Sequence, residues 1–148
     1  MAIARPLTSD DHTAALALYR TLAKDQAIDP DPKHFATLIA HPGTTIYGTE
    51  DHGTLHAMAT LHLLPNITQG GRPYGLIENV VAHPNARGQG HGRMAMQAAI
   101  DAAWDSDAYK IMLLSGQNTG ALGFYEKLGF TADQKHGLQL RRVPPRCP

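Results

Sequence analysis

Three glycines stand at alternate positions, Gly88, Gly90 and Gly92, shortly after the β-branched run at 75–82. Glycine has no Cβ atom, so backbone N–H groups can converge there on an anion without a side chain in the way. The residues that follow favour a helix, whose first turn carries unpaired N–H groups and a partial positive charge. The segment therefore predicts a strand, a pyrophosphate-binding turn and a helix in succession.

The spacing excludes two common phosphate-binding loops. A P-loop ends in Gly-Lys-Ser/Thr, and no lysine occurs within 73–109. A dinucleotide-binding turn places its third glycine three residues after the second, but Gly92 follows Gly90 by two and Arg93 occupies the required place. A different kind of pyrophosphate cradle remains, with Arg87 and Arg93 supplying positive charge.

Two segments resemble the paired motifs of the GCN5-related N-acetyltransferase (GNAT) family. Residues 87–92, Arg-Gly-Gln-Gly-His-Gly, are similar to its motif A, Gln/Arg-x-x-Gly-x-Gly/Ala. Residues 118–130, which include Phe-Tyr-Glu-Lys-Leu-Gly-Phe, resemble its motif B. The match is close over 75–130 and covers only the order of elements elsewhere. It implies an α/β (α+β) GNAT fold as one domain over 1–148, with a twisted, mixed but mostly antiparallel sheet of about seven strands, flanked by about four helices and split near the acetyl-CoA site.

The resemblance implies acetyl-CoA as the cosubstrate and no metal. The expected CoA contacts are Val80, Val81, Ala82, Arg87, Gly88, Gln89, Gly90, His91, Gly92, Arg93, Asn118, Phe124 and Tyr125. Asn118 is expected to hold the pantetheine arm, and its alternative role is the N-cap of the helix that follows. Lys127 either approaches the adenosine phosphates or is a solvated side chain.

Direct transfer of an acetyl group to an amine sets three catalytic tasks, and the resemblance gives each a candidate. Glu78, the sole acid in 75–82, is the candidate base, acting directly or through water; alternatively it faces solvent or pairs with an arginine. A backbone N–H of Val81 or Val80, at a bulge, is expected to hold the thioester oxygen. Tyr125 matches the general acid of many relatives, and alternatively is a buried aromatic residue whose hydroxyl bonds to CoA or backbone.

Four residues are predicted to line the acceptor side: Arg72, Tyr74, Glu78 and Asn79. They suit a small polar amine better than a protein tail. Residues 74–81 and 123–130 are also similar to the glucosamine-6-phosphate N-acetyltransferases, a branch of the family. The chain departs from that branch at Asn79, where the branch has aspartate, and at Ala121, where the branch has asparagine. An amino-sugar phosphate acceptor and a CoA-binding regulatory module without turnover remain as alternatives.

Composition bounds the class of protein. A chain of 148 residues is one domain by the usual size of domains. Thirteen basic and thirteen acidic residues cancel, so no net field favours nucleic acid or an anionic membrane.

The single cysteine, Cys147, allows no intrachain disulfide and favours a reducing compartment. With no apolar run typical of a signal peptide or a membrane span, we expect a cytoplasmic protein. Its oligomeric state stays open, a homodimer included.

Local patterns predict the element order β-α-α-β-β-β-α-β-α-β-β. Strands are predicted over 3–7, 44–49, 54–64, 75–82, 109–114, 130–132 and 137–142, and helices over 9–24 with Ser9 as N-cap, over 33–40, after the cradle and over 119–128. Trp104 is expected to pack in the helix after the cradle. His56 and His62 are expected to share one strand face, solvent-facing or lining the acceptor cleft, with no third ligand that would make a metal site.

Overall fold

The computed structural model describes residues 1–144, so the prediction for Cys147 lies outside the described residues. The chain divides into two compact units, residues 1–113 and the residues from 114 onward, and each is described by itself. Within residues 1–144, no helix combines the length and the apolar character that crossing a membrane requires.

The first unit is built on a five-stranded sheet in the order β1 to β5. Its strands are β1 (Ile3–Pro6), β2 (Thr44–Asp51), β3 (Thr54–Leu64), β4 (Tyr74–Ala82) and β5 (Ile111–Met112). Neighbours are antiparallel except for β5, which runs parallel to β4. A two-residue turn joins β2 to β3, and His52 and Gly53 both have positive φ, 49° and 77°, as a type I′ hairpin turn requires.

Helices cover both faces of this sheet. Among residues 1–113 the helices are α1 (His12–Leu22), α2 (Pro32–Ala40), the single turn α3 (Thr68–Gly71) and α4 (His91–Asp105), and the described part of the second unit contains α5 (Leu122–Glu126). Met58 of β3 packs in a core with Leu18 of α1 and Phe35 of α2. Its neighbours Ala57 and Ala59 are also fully buried, and they point to the opposite face because side chains alternate along a strand. That opposite face is where α4 contacts the sheet.

The start of α1 differs from the prediction. Ser9 is not the N-cap: Thr8 is the N-cap of a short 3₁₀ turn, Ser9–Asp11, and Asp11 is the N-cap of α1, which follows directly. The Asp11 carboxylate accepts a hydrogen bond from the Thr8 backbone N–H at 2.8 Å and is bound by both terminal nitrogens of Arg5. Arg5 also binds Glu50 of β2, so this ion network ties the chain entry to the sheet.

The mixed, mostly antiparallel sheet is confirmed, but it has five strands among residues 1–144 and not about seven. No strand forms within 130–142. Leu138 and Leu140 there are almost fully exposed, and a lone hairpin without a buried face has little to stabilise it. The strand predicted over 109–114 is limited to Ile111–Met112.

The expectation that Trp104 packs is wrong, since half of its surface is exposed. It lies three residues after Asp101 and seven after Gln97, on the polar stripe of α4. The opposite face of α4 is buried, through Ala95, Met96, Ala99, Ile100 and Ala103.

Candidate active site

A β-bulge interrupts the pairing of β3 with β4. Met58 pairs with Val81 and Thr60 pairs with Glu78, so β4 has one more residue than β3 between these two pairs. The extra residue is accommodated at Asn79, whose φ of 53° is left-handed, a conformation that asparagine tolerates better than most residues. Because each residue added to a strand reverses the alternation of its side chains, Glu78 and Val81 both face α1.

The bulge lies where the sheet opens. β5 pairs with β4 only through Gly75 and Leu76, so β4 continues from Ile77 to Ala82 without a strand on that side among residues 1–144. Glu78 is exposed and makes no ion pair within the same residues. The arginine pairing considered for Glu78 is therefore not found there, and its carboxylate is open to a ligand.

The glycine turn after β4 has the form of a cradle. Gly88 and Gly90 adopt φ of 77° and 86°, and a Cβ atom added to either would meet no protein atom within 4 Å. Gly90 is the N-cap of α4, so the N–H groups of the first helical turn point outward beside this open space. None of them donates to an acceptor outside the helix in the described part of the chain. An anion of pyrophosphate shape fits this arrangement.

The side chain of His91 points away from the cradle. It is 6% exposed, and its ring stacks on that of His56 with centroids 4.5 Å apart. The carbonyl of His91 accepts a hydrogen bond from the Thr49 hydroxyl at 2.8 Å. His91 can therefore meet a cofactor only through its backbone, while its side chain fixes the first turn of α4 on the sheet.

His56 and His62 do not share a face, contrary to the prediction. Thr49 pairs with Ala57 but Glu50 pairs with Leu55, so His56 is the extra residue of a second bulge and turns towards α4. The His62 ring lies 2.8 Å from the Thr44 hydroxyl instead, and both histidines are half-buried rather than solvent-facing. Among residues 1–144, no group of three potential ligands is placed to hold a metal ion.

The four predicted acceptor residues fall into two places. Glu78 and Asn79 lie together at the bulge, whereas Tyr74 begins β4, about 13 Å away along the strand. Arg72 binds the carbonyl of Asp107 at 3.1 Å and pairs with its carboxylate. Tyr74 has the Lys110 amine over its ring. The roles assigned to Arg72 and Tyr74 remain predictions, and their present contacts hold the loop after α4.

A cavity of about 290 Å³ lies on the α1 side of the bulge. It is open to solvent and is lined by residues of α1, the segment 27–29, α2 and Asn79. Its apolar wall consists of Leu16, Ala27, Ile28, Phe35 and Leu38, and its polar groups other than Asn79 belong to His12, Tyr19, Asp29 and His34. Sequence reasoning missed all nine of these residues, because only packing brings the two helices to the bulge; the one local signal was the Asp-Pro-Asp-Pro loop at 29–32.

The polar groups of the cavity differ in their surroundings. Burial raises the pKa of the Tyr19 phenol, and the nearby Thr60 hydroxyl opposes this in part. At the mouth, the exposed His34 ring contacts the Asp29 carboxylate. That contact raises the pKa of His34, while the backbone N–H of Asp31 and then His34 lower the pKa of Asp29. The mouth thus carries an ion pair when His34 is protonated.

The second unit contains the motif B residues. Its helix α5 starts later than predicted, with Ala121 as N-cap, so Asn118 is not the N-cap and is exposed. Gly129 ends the helix with φ of 101°. The N–H of Phe130 bonds to the carbonyl of Tyr125 and that of Gly129 to Glu126, the paired bonds of a Schellman C-cap. The Tyr125 ring lies edge-on to Phe124 and Phe130, and Lys127 is exposed.

Known proteins resemble this chain in sequence. The model of the acetyltransferase (GNAT) family matches residues 15–130. A glucosamine 6-phosphate N-acetyltransferase of Trypanosoma brucei brucei is 36% identical over 98 residues, which are 66% of this chain and 63% of that relative's length. An enzyme of the same name from Schizosaccharomyces pombe is 28% identical over 104 residues, which are 69% of this chain and 89% of that protein.

Solved structures resemble it in fold. A protein of Agrobacterium tumefaciens str. C58 superposes with a TM-score of 0.88 at 37% identity, covering 95% of this chain and 99% of that one. A Trypanosoma brucei acetyltransferase superposes with a TM-score of 0.82 at 28% identity, covering 97% of this chain and 100% of that one.

Proposed function

Because the chain belongs to the GNAT acetyltransferase family, we propose that it transfers the acetyl group of acetyl-CoA directly to a primary amine of a small polar molecule. One observation carries the proposal most directly. The bulge at Asn79 turns Glu78 and Val81 to the same face of the sheet, one short loop before the glycine cradle. This arrangement supports Glu78 as the base and a nearby backbone N–H as the donor to the oxygen, beside the turn that we propose binds pyrophosphate.

The residues present fit acetyl-CoA. The open space beyond Gly88 and Gly90 would take the pyrophosphate, with the first-turn N–H groups of α4 as donors and the exposed Arg87 and Arg93 as countercharges. Val80, Val81 and Ala82 would hold the pantetheine arm along the unpaired part of β4, with Gln89, Gly92, Asn118 and Phe124 completing the contacts. When bound, acetyl-CoA supplies an activated thioester.

In the reaction, a carbon–nitrogen bond forms to the acceptor and the carbon–sulfur bond of the thioester breaks. Glu78, directly or through a water molecule, takes the proton that the ammonium must lose before it can attack. The backbone N–H of Val81 or Val80 donates to the thioester oxygen as negative charge develops there. Tyr125 gives a proton to the departing sulfur, which leaves as the thiol of CoA, and the second proton that the nitrogen loses as the amide forms restores the Tyr125 phenol.

A second acceptor class is supported by a particular observation. The Trypanosoma brucei brucei relative at 36% identity is named for glucosamine 6-phosphate, so an amino-sugar phosphate is the competing acceptor. A CoA-binding module without turnover is a weaker candidate, because Glu78 is exposed at the bulge and makes no ion pair within residues 1–144.

The decisive experiment is a screen of amines monitored by release of free CoA, with the N-acetyl product identified by mass spectrometry. The panel should contain aliphatic and aromatic amines, amino alcohols, amino sugars with and without phosphate, and a lysine-containing peptide. We expect turnover with at least one small primary amine and none with the peptide. Tight acetyl-CoA binding without release of CoA for any amine would instead favour the binding module.

A further inference from the structure

We propose that the cavity between α1, α2 and the bulge binds the body of the acceptor, and that it selects an amine with a compact apolar carbon skeleton and no phosphate. The inference rests on the proposed N-acetyl transfer, and within that reaction it changes the acceptor from a small polar molecule to an amine whose body is apolar. It also places the acceptor elsewhere than at Arg72 and Tyr74, whose side chains contact the loop after α4.

Position is the first argument. Asn79 both forms the bulge and lines the cavity. Thr60, the strand partner of Glu78, lies next to the Tyr19 hydroxyl of the cavity wall. A molecule held in the cavity would therefore present an amine to the carboxylate of Glu78 without crossing another element of the first unit.

Size and wall chemistry are the second argument. A volume of about 290 Å³ is at the lower end of the range for small-molecule sites, so the part of a ligand that the cavity covers must be compact. Half of the lining side chains are hydrocarbon, among them Leu16, Phe35 and Leu38. Each methylene group that such a wall removes from water stabilises a complex by about 0.8 kcal/mol.

Charge is the third argument. The side chains that line the cavity include no lysine or arginine, and the carboxylate there belongs to Asp29. A phosphate dianion would lose its hydration beside apolar groups without a partner, which is strongly unfavourable. Arg20 and Lys24 line a neighbouring depression with Ile28 and not this cavity. At the mouth, the Asp29 carboxylate is paired with the His34 ring, so the pair has no net positive charge to offer a phosphate when His34 is protonated.

Two buried polar atoms of the wall leave its apolar character unchanged. His12 Nε2 is buried without a hydrogen-bond partner within residues 1–144, and the Tyr19 hydroxyl is buried next to the Thr60 hydroxyl. Both atoms are covered by protein, so neither of them presents a donor or acceptor to a ligand in the cavity.

The test uses the full-length protein and a series of amines of increasing carbon number, from propylamine to cyclohexylmethylamine and benzylamine, with glucosamine and glucosamine 6-phosphate as polar probes. Binding is measured by calorimetry, and kcat/KM by CoA release. We expect both to favour the larger hydrocarbons, with a gain of roughly fourfold for each added methylene until the cavity is full. Benzylamine should exceed glucosamine 6-phosphate by at least about tenfold.

A matched pair of variants locates the effect. Leu16→Lys places a charge in the cavity wall, and should lower the affinity for benzylamine by about tenfold or more while acetyl-CoA binding is unchanged. Ala17→Lys places the same charge on the exposed side of α1, so it should leave both affinities within about twofold of wild type. Thermal melting of the two variants distinguishes loss of fold from loss of binding. The amine series measured on the wild-type protein tests the proposal independently of both variants.

The outcomes separate this inference from the proposed function. Hydrocarbon amines that bind with the expected dependence on size but are not acetylated would overturn the transfer reaction and retain the cavity preference. Amines that are acetylated without dependence on carbon number, or a preference for glucosamine 6-phosphate, would overturn the cavity preference and retain the reaction. Benzylamine affinity unaltered by Leu16→Lys in a folded protein would place the acceptor elsewhere.

Discussion

The hydroxyl oxygen of Thr49 lies 2.8 Å from the carbonyl oxygen of His91, so a hydrogen bond joins the end of β2 nearest the hairpin to the first residue of α4. Thr49 is fully buried, and the bond cannot be replaced by water without rearrangement. The same helix end carries the N–H groups that face the cradle. Through this contact, the sheet sets the direction of the donors proposed to bind pyrophosphate.

Thr49→Val should test that contact, since valine keeps the shape of threonine but has no hydroxyl. Loss of the buried hydrogen bond should lower the free energy of unfolding by about 0.5–1.5 kcal/mol, measured by denaturant titration. Acetyl-CoA affinity, measured by calorimetry, should also fall. Thr49→Ser is the control, because it keeps the donor and removes a methyl group; if serine and valine weaken CoA binding equally, the hydrogen bond is not what positions the helix.

Gly90→Val should abolish measurable binding of acetyl-CoA, because its Cβ and methyl groups would fill the space beside the first turn of α4. Valine also strains a residue with φ of 86°, by about 1–2 kcal/mol. Gly53→Val is a matched control, since Gly53 has φ of 77° and equally open surroundings in the β2–β3 turn. It should show a similar loss of stability with normal CoA affinity. A Gly90→Val protein that binds like wild type would remove the cradle from the model of the site.

Asp11 should contribute to stability in a pH-dependent way. Its hydrogen bonds to Arg5 hold the pKa of Asp11 below the usual 3.8, so the contribution is present above the unfolded-state pKa of about 3.9 and disappears as pH falls through the folded-state value. Asp11→Asn should cost about 1–2 kcal/mol at pH 7 and much less near pH 2. Asp10→Asn, on an exposed neighbour, should change little at either pH. Equal losses for Asp11→Asn at both pH values would mean that the ion network does not act through charge.

Features with short-range causes were predictable from the sequence. The Asp-His-Gly sequence at 51–53 is typical of a hairpin turn and lies at the turn between β2 and β3, and Gly129 follows α5 with the positive φ that glycine favours there. The strand, glycine turn and helix around the cradle also follow in the predicted order. In each case the signal is a residue type whose backbone freedom or capping chemistry acts within a few positions.

Features that depend on distant partners were not predictable in the same way. His56 and His62 are six residues apart, so a regular strand would place both on one face. A bulge set by the pairing with β2 turns His56 towards His91 instead. The cavity forms because α1 and α2 pack beside Asn79, and no local sequence pattern in either helix indicates this contact. The segment 130–142 has an alternating pattern, but no strand forms there without a buried face.

Glu78→Gln should lower kcat/KM by about 10²-fold or more for amines whose pKa is well above 7, with CoA affinity little changed. An alkyl ammonium with a pKa of about 10 must be brought down by about three units at pH 7, which is roughly 4 kcal/mol. Glu126→Gln, on an exposed glutamate of α5, is the control and should retain the wild-type rate. The same pH–rate profile in Glu78→Gln and wild type would assign the base to another residue.

Tyr125→Phe separates proton donation from packing, because it keeps the ring contacts with Phe124 and Phe130 and deletes only the hydroxyl. A packing role predicts nearly normal stability and rate, whereas an acid role predicts normal stability with a lower kcat. A thiol with a pKa of about 8.5 is already a fair leaving group, so we expect a loss of about 10-fold to 10²-fold. Acyl donors whose thiols span a range of pKa decide the matter. If Tyr125 protonates the departing sulfur, the rate of the variant must depend more steeply on thiol pKa than that of wild type. Equal slopes in the two proteins would leave Tyr125 as a binding residue only.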